Sequence, residues 1–286
     1  MTGAPIWSVV IPTKDRSREL AACLRRLAPG EQTLNAVEYE VVVSDDGDFA
    51  ATDAMLRSAF PWVRHVRGPR RGPAANRNAG ARAARGAWIV FADDDVVPST
   101  EWLAAYAAAS DGYQVLEGRT TCEAGLRSPR VHAPENNAGG ALWSCNFAIL
   151  HALFDATGGF DEGFVFPHME DADLRERLRA AGHAMGWVSE ARVDHPPRRH
   201  PPGSRMGAYR EAEVRFLYKH GAPRPVRWRL LRSIALDRMV NIRVRPKGLD
   251  SMLALWALAA ELWHVARHAA SWERRYVLEF PTERGA

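Results

Sequence analysis

Cysteine is scarce: the 286 residues hold three, at positions 23, 122 and 145, with no CxxC spacing. That count is odd and the spacing fits no thiolate metal site, so a disulfide framework and a zinc ribbon are excluded and buried free thiols in a reducing cytoplasm are expected. Charge of one sign is also scarce. Thirty-eight Lys+Arg against 34 Asp+Glu leave a formal charge of +4, with many of the arginines collected after residue 190. A duplex nucleic-acid binder would carry a broader basic field, so no nucleic-acid partner is expected. Long apolar runs are missing too. The stretch at 6–12 is short and precedes the Lys14–Arg16 cluster, unlike a secretion signal. The run at 252–263 is interrupted by Glu261, His264 and Arg267 before it reaches the ~20 residues a membrane span needs. Hydrophobic residues at 47% and charged residues at 25% match a folded, soluble chain of about two domains' length.

Within that frame, the runs 7–12, 39–44, 62–66 and 87–92 are short and β-rich. Three are followed by helical patterns at 18–27, 53–59 and 74–84. Such repetition predicts an α/β fold with a mostly parallel, Rossmann-like sheet flanked by helices. Ligands in these sheets bind beyond the carboxyl ends of the strands. After a strand at 113–118 the pattern loosens over 120–140 and resumes with the apolar segment 142–153. A helix at 170–181 and a strand at 185–188 follow. The segment 194–205, with four prolines in eight residues, reads as an irregular loop or lid. Helices at 206–220, 225–240 and 249–271 form a C-terminal helical extension. The domain division expected is therefore 1–118, 119–203 with the lid, and 204–286.

Three acidic clusters stand at or near element ends. The first is Asp93-Asp94-Asp95, where an apolar strand runs out. Three like charges there require positive compensation, and in extended backbone Asp93 and Asp95 point the same way, which suits one hard divalent cation. The second, Asp45-Asp46, follows another strand; it can accept hydrogen bonds from a nucleobase or ribose, or simply close an Asx turn. In the third, Asp171 lies three residues before Leu174 and so at the inward start of a helix, where a carboxylate can serve as a general base. Its neighbour Glu170 raises its basicity by like-charge repulsion while the helix terminus lowers it. Asp173 and Glu176 read as ordinary complements to the helix dipole. His195, before the prolines, is a candidate metal ligand, and Arg198, Arg199 and Arg205 could meet a diphosphate.

Residues 9–16 (VVIPTKDR), 43–47 (VSDDG), 72–80 (GPAANRNAG), 91–95 (FADDD), 158–161 (GGFD) and 170–174 (EDADL), in that order, resemble family 2 glycosyltransferases of the GT-A fold. The resemblance covers about residues 6–195. It implies an inverting sugar transferase using a nucleotide-diphospho-sugar, UDP-linked by expectation, with Mn2+ or Mg2+ and a sugar-, lipid- or small-molecule-linked acceptor, as in bacterial glycan or glycoconjugate biosynthesis. By the same resemblance Asp93 and Asp95 form the DxD pair, with Asp95 the direct metal ligand and His195 completing the site. Pro12, Thr13, Asp45 and Asp46 would meet the nucleoside, and Arg77, Asn78 and Asp94 would lie near the donor. Asp171, in the pair with Glu170, would be the base. Lys14 stands where many members carry an aromatic residue.

Two other functions would call for different residues. A sugar-1-phosphate nucleotidyltransferase would carry a Gly-rich, Arg-containing loop directly after the first strand, where this chain has Pro12-Thr13-Lys14-Asp15. An inactive nucleotide-sugar-binding protein would be expected to have lost one of the acidic clusters. For the tryptophans of the C-terminal helices two readings stay open: a basic, aromatic surface for anionic lipid at the membrane face, or packing against the rest of the protein.

Overall fold

The computed structural model describes residues 5–245 and 247–281. The chain begins with β1 (Trp7–Thr13), α1 (Ser17–Arg25), β2 (Tyr39–Asp45), α2 (Phe49–Ala59), β3 (Arg64–Arg67), α3 (Pro73–Ala83) and β4 (Trp88–Ala92). It continues through β5 (Val97–Pro98), α4 (Trp102–Ala109), β6 (Val115–Thr121), β7 (Val131–His132), β8 (Asn146–Leu150), α5 (His151–Ala156), α6 (Glu170–Ala180) and β9 (Met185–Asp194). After β10 (Arg198–Arg199) come three helices, α7 (Gly203–Lys219), α8 (Arg227–Val244) and α9 (Gly248–Glu279).

Eight strands make one sheet in the order β3-β2-β1-β4-β8-β6-β9-β5. Only β8 and β5 run antiparallel to their neighbours, so the sheet is mostly parallel, as the strand and helix alternation predicts. The apolar runs of β1, β2 and β4 are buried on both faces, which is why they read as continuous rather than alternating. Val9, Ile11, Val41, Val43 and Val90 join one core cluster, while Val10, Val42, Ile89 and Phe91 join the other. Helix α3 lies close on this second face at Gly80, where a Cβ would stand 2.5 Å from a Val10 methyl. The register aligns Thr13 with Asp45 and Val10 with Phe91. The carboxyl ends of β1, β2 and β4 therefore open on one rim.

The apolar segment 142–153 divides into β8 and the start of α5. Strand β8 inserts antiparallel between β4 and β6, a reversal that an apolar run does not announce. Strand β9 extends to ten residues, well past the expected 185–188, because it pairs with β6 beyond a register shift at Gly118/Arg119.

The chain divides into two units. One runs from the N-terminus through Glu123 and includes Pro134–Pro196; the other joins Ala124–Ala133 to the chain from Pro197 onward. In the second unit β10 pairs antiparallel with β7, Arg198 opposite His132. The proline-rich segment is thus partly regular, and α7 begins at Gly203, immediately after its last proline. Leu258, Val265 and Trp272 of α9 recur every seven residues and pack with Val214, Tyr218, Leu230 and Ile234. Trp228, Trp256 and Trp263 stand outside this cluster: they are 66%, 76% and 71% exposed.

Candidate active site

All three carboxylates of the Asp93–Asp95 loop are in ionic contact, with cations from two different elements. Arg16, just beyond β1, places Nη1 3.2 Å from Asp94 Oδ1 and Nη2 2.7 Å from Asp95 Oδ2. Arg77, in the middle of α3, donates from Nη2 to Asp93 Oδ1 at 2.7 Å and from Nη1 to Glu170 Oε1 at 2.9 Å. Asp94 also accepts from Thr13 Oγ1 at 2.8 Å. Burial nevertheless pushes the Asp94 carboxyl up to about 7, despite the lowering effect of Arg16.

His195, at the end of β9, is 2% exposed. Its Nδ1 lies 3.1 Å from the Pro196 carbonyl oxygen. A carbonyl only accepts, so with the neutral ring the proton sits on Nδ1 and the Nε2 lone pair faces the carboxylates. Nε2 is 3.8 Å from Asp93 Oδ2 and 3.6 Å from Asp95 Oδ1. One ligand atom from each of these residues lies within 4.8 Å of the others. Three electron-pair donors converging at that separation fit a divalent cation, with oxygen and imidazole ligands of the kind Mn2+ accepts. The structure thus brings Asp93, Asp95 and His195 together from two strands.

The other acidic pair opens α6, whose first turn is acidic and last turn basic, both matched to the helix dipole. Glu170 is 3% exposed and tied to Arg77, and burial with the neighbouring Asp171 charge raises it to about 7. Asp171 is half-buried and accepts from the Ala172 amide at 2.7 Å and the Ser144 amide at 3.3 Å. Its carboxyl is also raised, chiefly by burial. Asp173 belongs to that acidic first turn, and it is also fully buried: it accepts from Arg177 Nε at 2.9 Å, and Arg177 goes on to hold the Thr157 and Gly159 carbonyls.

Asp45 closes the Asx turn, accepting from the Gly47 amide at 2.7 Å, and its second oxygen is 3.5 Å from His65 Nε2. Asp46 accepts from the Arg70 amide at 2.8 Å. Pro12 and Thr13 end β1 beside them, opposite Ser44 and Asp45 in the register. Asn78, next to Arg77, turns to another task. Its amide holds the Phe160 backbone in both directions and reaches Glu162 at 3.1 Å. Gly159 must be glycine for this clasp: its φ is +67° and a Cβ would meet Asn78 Oδ1 at 2.8 Å. Arg198 and Arg205 are engaged within the second unit, Arg198 in β10 and Arg205 donating to Tyr209 Oη at 3.1 Å.

Arg16 was the functional group least visible in the sequence. The only signal is topological, a cation three residues past a strand whose parallel neighbour ends in carboxylates. Arg77 carries a measurable consequence. Its removal leaves two carboxylates without their shared cation, so Arg77→Met is expected to lower stability by about 3–5 kcal/mol. Urea denaturation followed by circular dichroism checks this.

Residues 8–118 match the family described as Glycosyl transferase family 2. Among curated proteins, the chain is 30% identical to a validoxylamine A glucosyltransferase of Streptomyces hygroscopicus, a match covering 65% of this chain and 56% of that protein. It is 29% identical to an N-acetylglucosaminyl-diphospho-decaprenol L-rhamnosyltransferase of Mycobacterium tuberculosis, over 72% of this chain and 64% of the relative. The chain thus spans less than two thirds of the length of either relative. Among solved structures, a mannosyltransferase of Pyrobaculum calidifontis in complex with GDP-Man and Mn2+ superposes with a TM-score of 0.58 at 18% identity, covering 94% of this chain and 88% of that one. S. aureus TarS in complex with UDP-GlcNAc gives 0.57 at 16%, with the same coverage. At such identities the likeness is one of fold.

Proposed function

Because this chain carries a family 2 glycosyltransferase domain on a GT-A fold, we propose that it moves a sugar from a nucleotide-diphospho-sugar to an acceptor hydroxyl with inversion. One observation carries the reading: Asp93, Asp95 and His195 converge on a cation-sized space, and Arg77 joins that group to the Glu170–Asp171 pair. Asp93, Asp95 and His195 would hold Mn2+ or Mg2+. When bound, that ion supplies positive charge against the diphosphate leaving group.

The remaining roles belong to the chain's own residues. Pro12, Thr13, Asp45 and Asp46, on the rim of β1 and β2, receive the nucleoside. Asp94 fixes Arg16, and with it the loop that shapes the donor side. Asn78 acts on the donor side indirectly, by holding the 158–162 turn. The acceptor hydroxyl, whose pKa lies far above 7, loses its proton to an Asp171 oxygen as its own oxygen bonds to the anomeric carbon and the bond to the diphosphate breaks. Asp171 suits this role better than Glu170, since Asp171 is only half-buried whereas Glu170 is buried against Arg77. Glu170 positions and tunes it.

A pH dependence follows from the raised carboxyls. A base works only when ionised, and burial raises the Asp171 carboxyl above its ordinary value, so activity falls as pH drops through a range higher than that of an exposed carboxylate. Glu170→Gln removes the like charge and shifts the acid limb of kcat/KM to lower pH. A wild-type profile flat down to pH 5 contradicts this.

A UDP-sugar is the proposed donor, supported by the TarS complex, although the GDP-Man complex belongs to the same fold. A thermal-shift screen of UDP-, GDP- and dTDP-sugars with Mn2+ tests the choice, because a bound donor raises the apparent Tm. Product analysis with each hit follows. Release of pyrophosphate from a sugar 1-phosphate and a nucleoside triphosphate would instead identify a nucleotidyltransferase, and donor binding without transfer or hydrolysis would identify a binding protein.

The acceptor is proposed to be lipid-linked, as the name of the mycobacterial relative states for that protein. No helix among the described residues is long and apolar enough to cross a membrane. The exposed Trp228, Trp256 and Trp263 stand on helices that also expose Arg229, Arg232 and Arg267, a composition that suits peripheral contact with anionic lipid at the cytoplasmic face. Flotation with phosphatidylglycerol vesicles is expected to carry the wild type, and Trp256→Ala with Trp263→Ala to reduce the floated fraction several-fold. Equal flotation of both proteins opposes the contact.

A further inference from the structure

The second unit contains a cavity and a cleft that share two arginines. The cavity encloses about 290 Å3, and its wall is mainly apolar, including Pro202, Met206, Ile242, Leu253 and Leu258. The cleft, of about 460 Å3, is lined by Arg127, Lys247 and Asp250 among others. Arg130 and Arg199 line both.

The charges in this region do not cancel. Two carboxylates are present, and both are already matched. Asp250 accepts from Ser128 Oγ at 2.7 Å and from Arg130 Nη1 at 3.2 Å. Glu261, 1% exposed, is held by Arg210 Nε at 2.8 Å and Arg238 Nε at 3.2 Å. Arg127, Arg199 and Lys247 form no ion pair among the described residues, and all three are exposed. An orphan donor adds to them. His200 Nε2 lies 2.7 Å from Arg238 Nη1, which can only donate, so the ring proton is on Nδ1. That Nδ1 is buried and has no hydrogen-bond partner. Burial and the Arg238 charge push the His200 pKa down to about 3, which keeps the ring neutral.

We propose that this site binds a single-chain lipid phosphate or diphosphate, its chain in the apolar cavity and its anionic head among Arg127, Arg199 and Lys247. Guanidinium groups match phosphate oxygens in pairs, and an apolar chamber adjoining a cationic one selects an amphiphile over a free anion or a free hydrocarbon. The inference rests on the glycosyl-transfer reading only in assigning this amphiphile the part of acceptor carrier. As a binding site it stands alone.

Isothermal titration of the full chain with farnesyl diphosphate, below the concentration at which it aggregates, tests it. Farnesol, inorganic diphosphate and phosphatidylglycerol vesicles are titrated in parallel. Farnesyl diphosphate is expected to bind at least tenfold more tightly than either farnesol or inorganic diphosphate. Arg127→Ser with Arg199→Ser, and separately Leu253→Asp, are each expected to weaken it tenfold or more while the circular dichroism spectrum and donor binding stay as in the wild type. Leu253 is 38% exposed, so its replacement spares the core. Equal affinity for inorganic diphosphate, affinity for vesicles alone, or no effect of the substitutions overturns the proposal. Asp95→Ala separates the two readings: it should lose donor binding and keep farnesyl diphosphate binding. Donor binding without farnesyl diphosphate binding would defeat this inference and leave glycosyl transfer standing.

Discussion

Asp95→Ala is expected to weaken Mn2+-dependent binding of the nucleotide sugar about a hundredfold, and turnover with it. Asp95 offers one oxygen to the space it shares with Asp93 and His195 and the other to Arg16. Removing it takes away a charged ligand of a divalent ion, a loss of several kcal/mol in charge stabilisation at the diphosphate. It also frees Arg16, which keeps Asp94 as a partner, so the fold survives. Asp95→Asn serves as a control: it retains an acceptor for Arg16 but loses the negative charge, and it should reproduce the donor defect with little change in Tm. Titration calorimetry with and without Mn2+ gives the answer directly. Unchanged donor affinity in both conditions would remove Asp95 from the metal site.

Asp171→Asn is expected to leave donor affinity near the wild-type value and to reduce kcat by roughly 10^2 to 10^4, the usual contribution of a positioned general base. The substitution keeps an oxygen that can accept from Ser144 or Ala172 and relieves the burial of a charge, so stability should hold or rise. Asp173→Asn supplies the contrast. It weakens the contact that links α6 through Arg177 to the 157–159 turn, so it should lower Tm first and kcat second. A fully active Asp171→Asn enzyme would move the base elsewhere.

The β2-β1-β4 part of the sheet was legible because each of those strands is buried on both faces. Val9, Val10 and Ile11 must all be apolar when alternate residues face two different cores. The acidic loops were legible for a related reason, as charges placed where such strands stop. What the sequence hid was mostly non-local. The insertion of β8 between β4 and β6 depends on which edge accepts it, and nothing in residues 146–150 encodes that edge. Arg77 sits within a helix whose pattern offers no hint that its side chain bridges Asp93 and Glu170, residues 16 and 93 positions away. Asn78 has the type and position of a ligand contact, yet it clasps the Phe160 backbone because Gly159 leaves the room. The assignment of residues 124–133 to the second unit was equally hidden, since that stretch joins through the two-residue pairing of β7 with β10.

Everything proposed for the reaction depends on Asp93, Asp95 and His195 holding a cation against the donor diphosphate. Crystals soaked with Mn2+ and UDP, with diffraction recorded at the manganese absorption edge, test it most directly. An anomalous peak is expected within bonding distance of Asp95 and His195 and next to the diphosphate oxygens. A diphosphate bound in this cleft with no such peak, or with the peak on other residues, would contradict it.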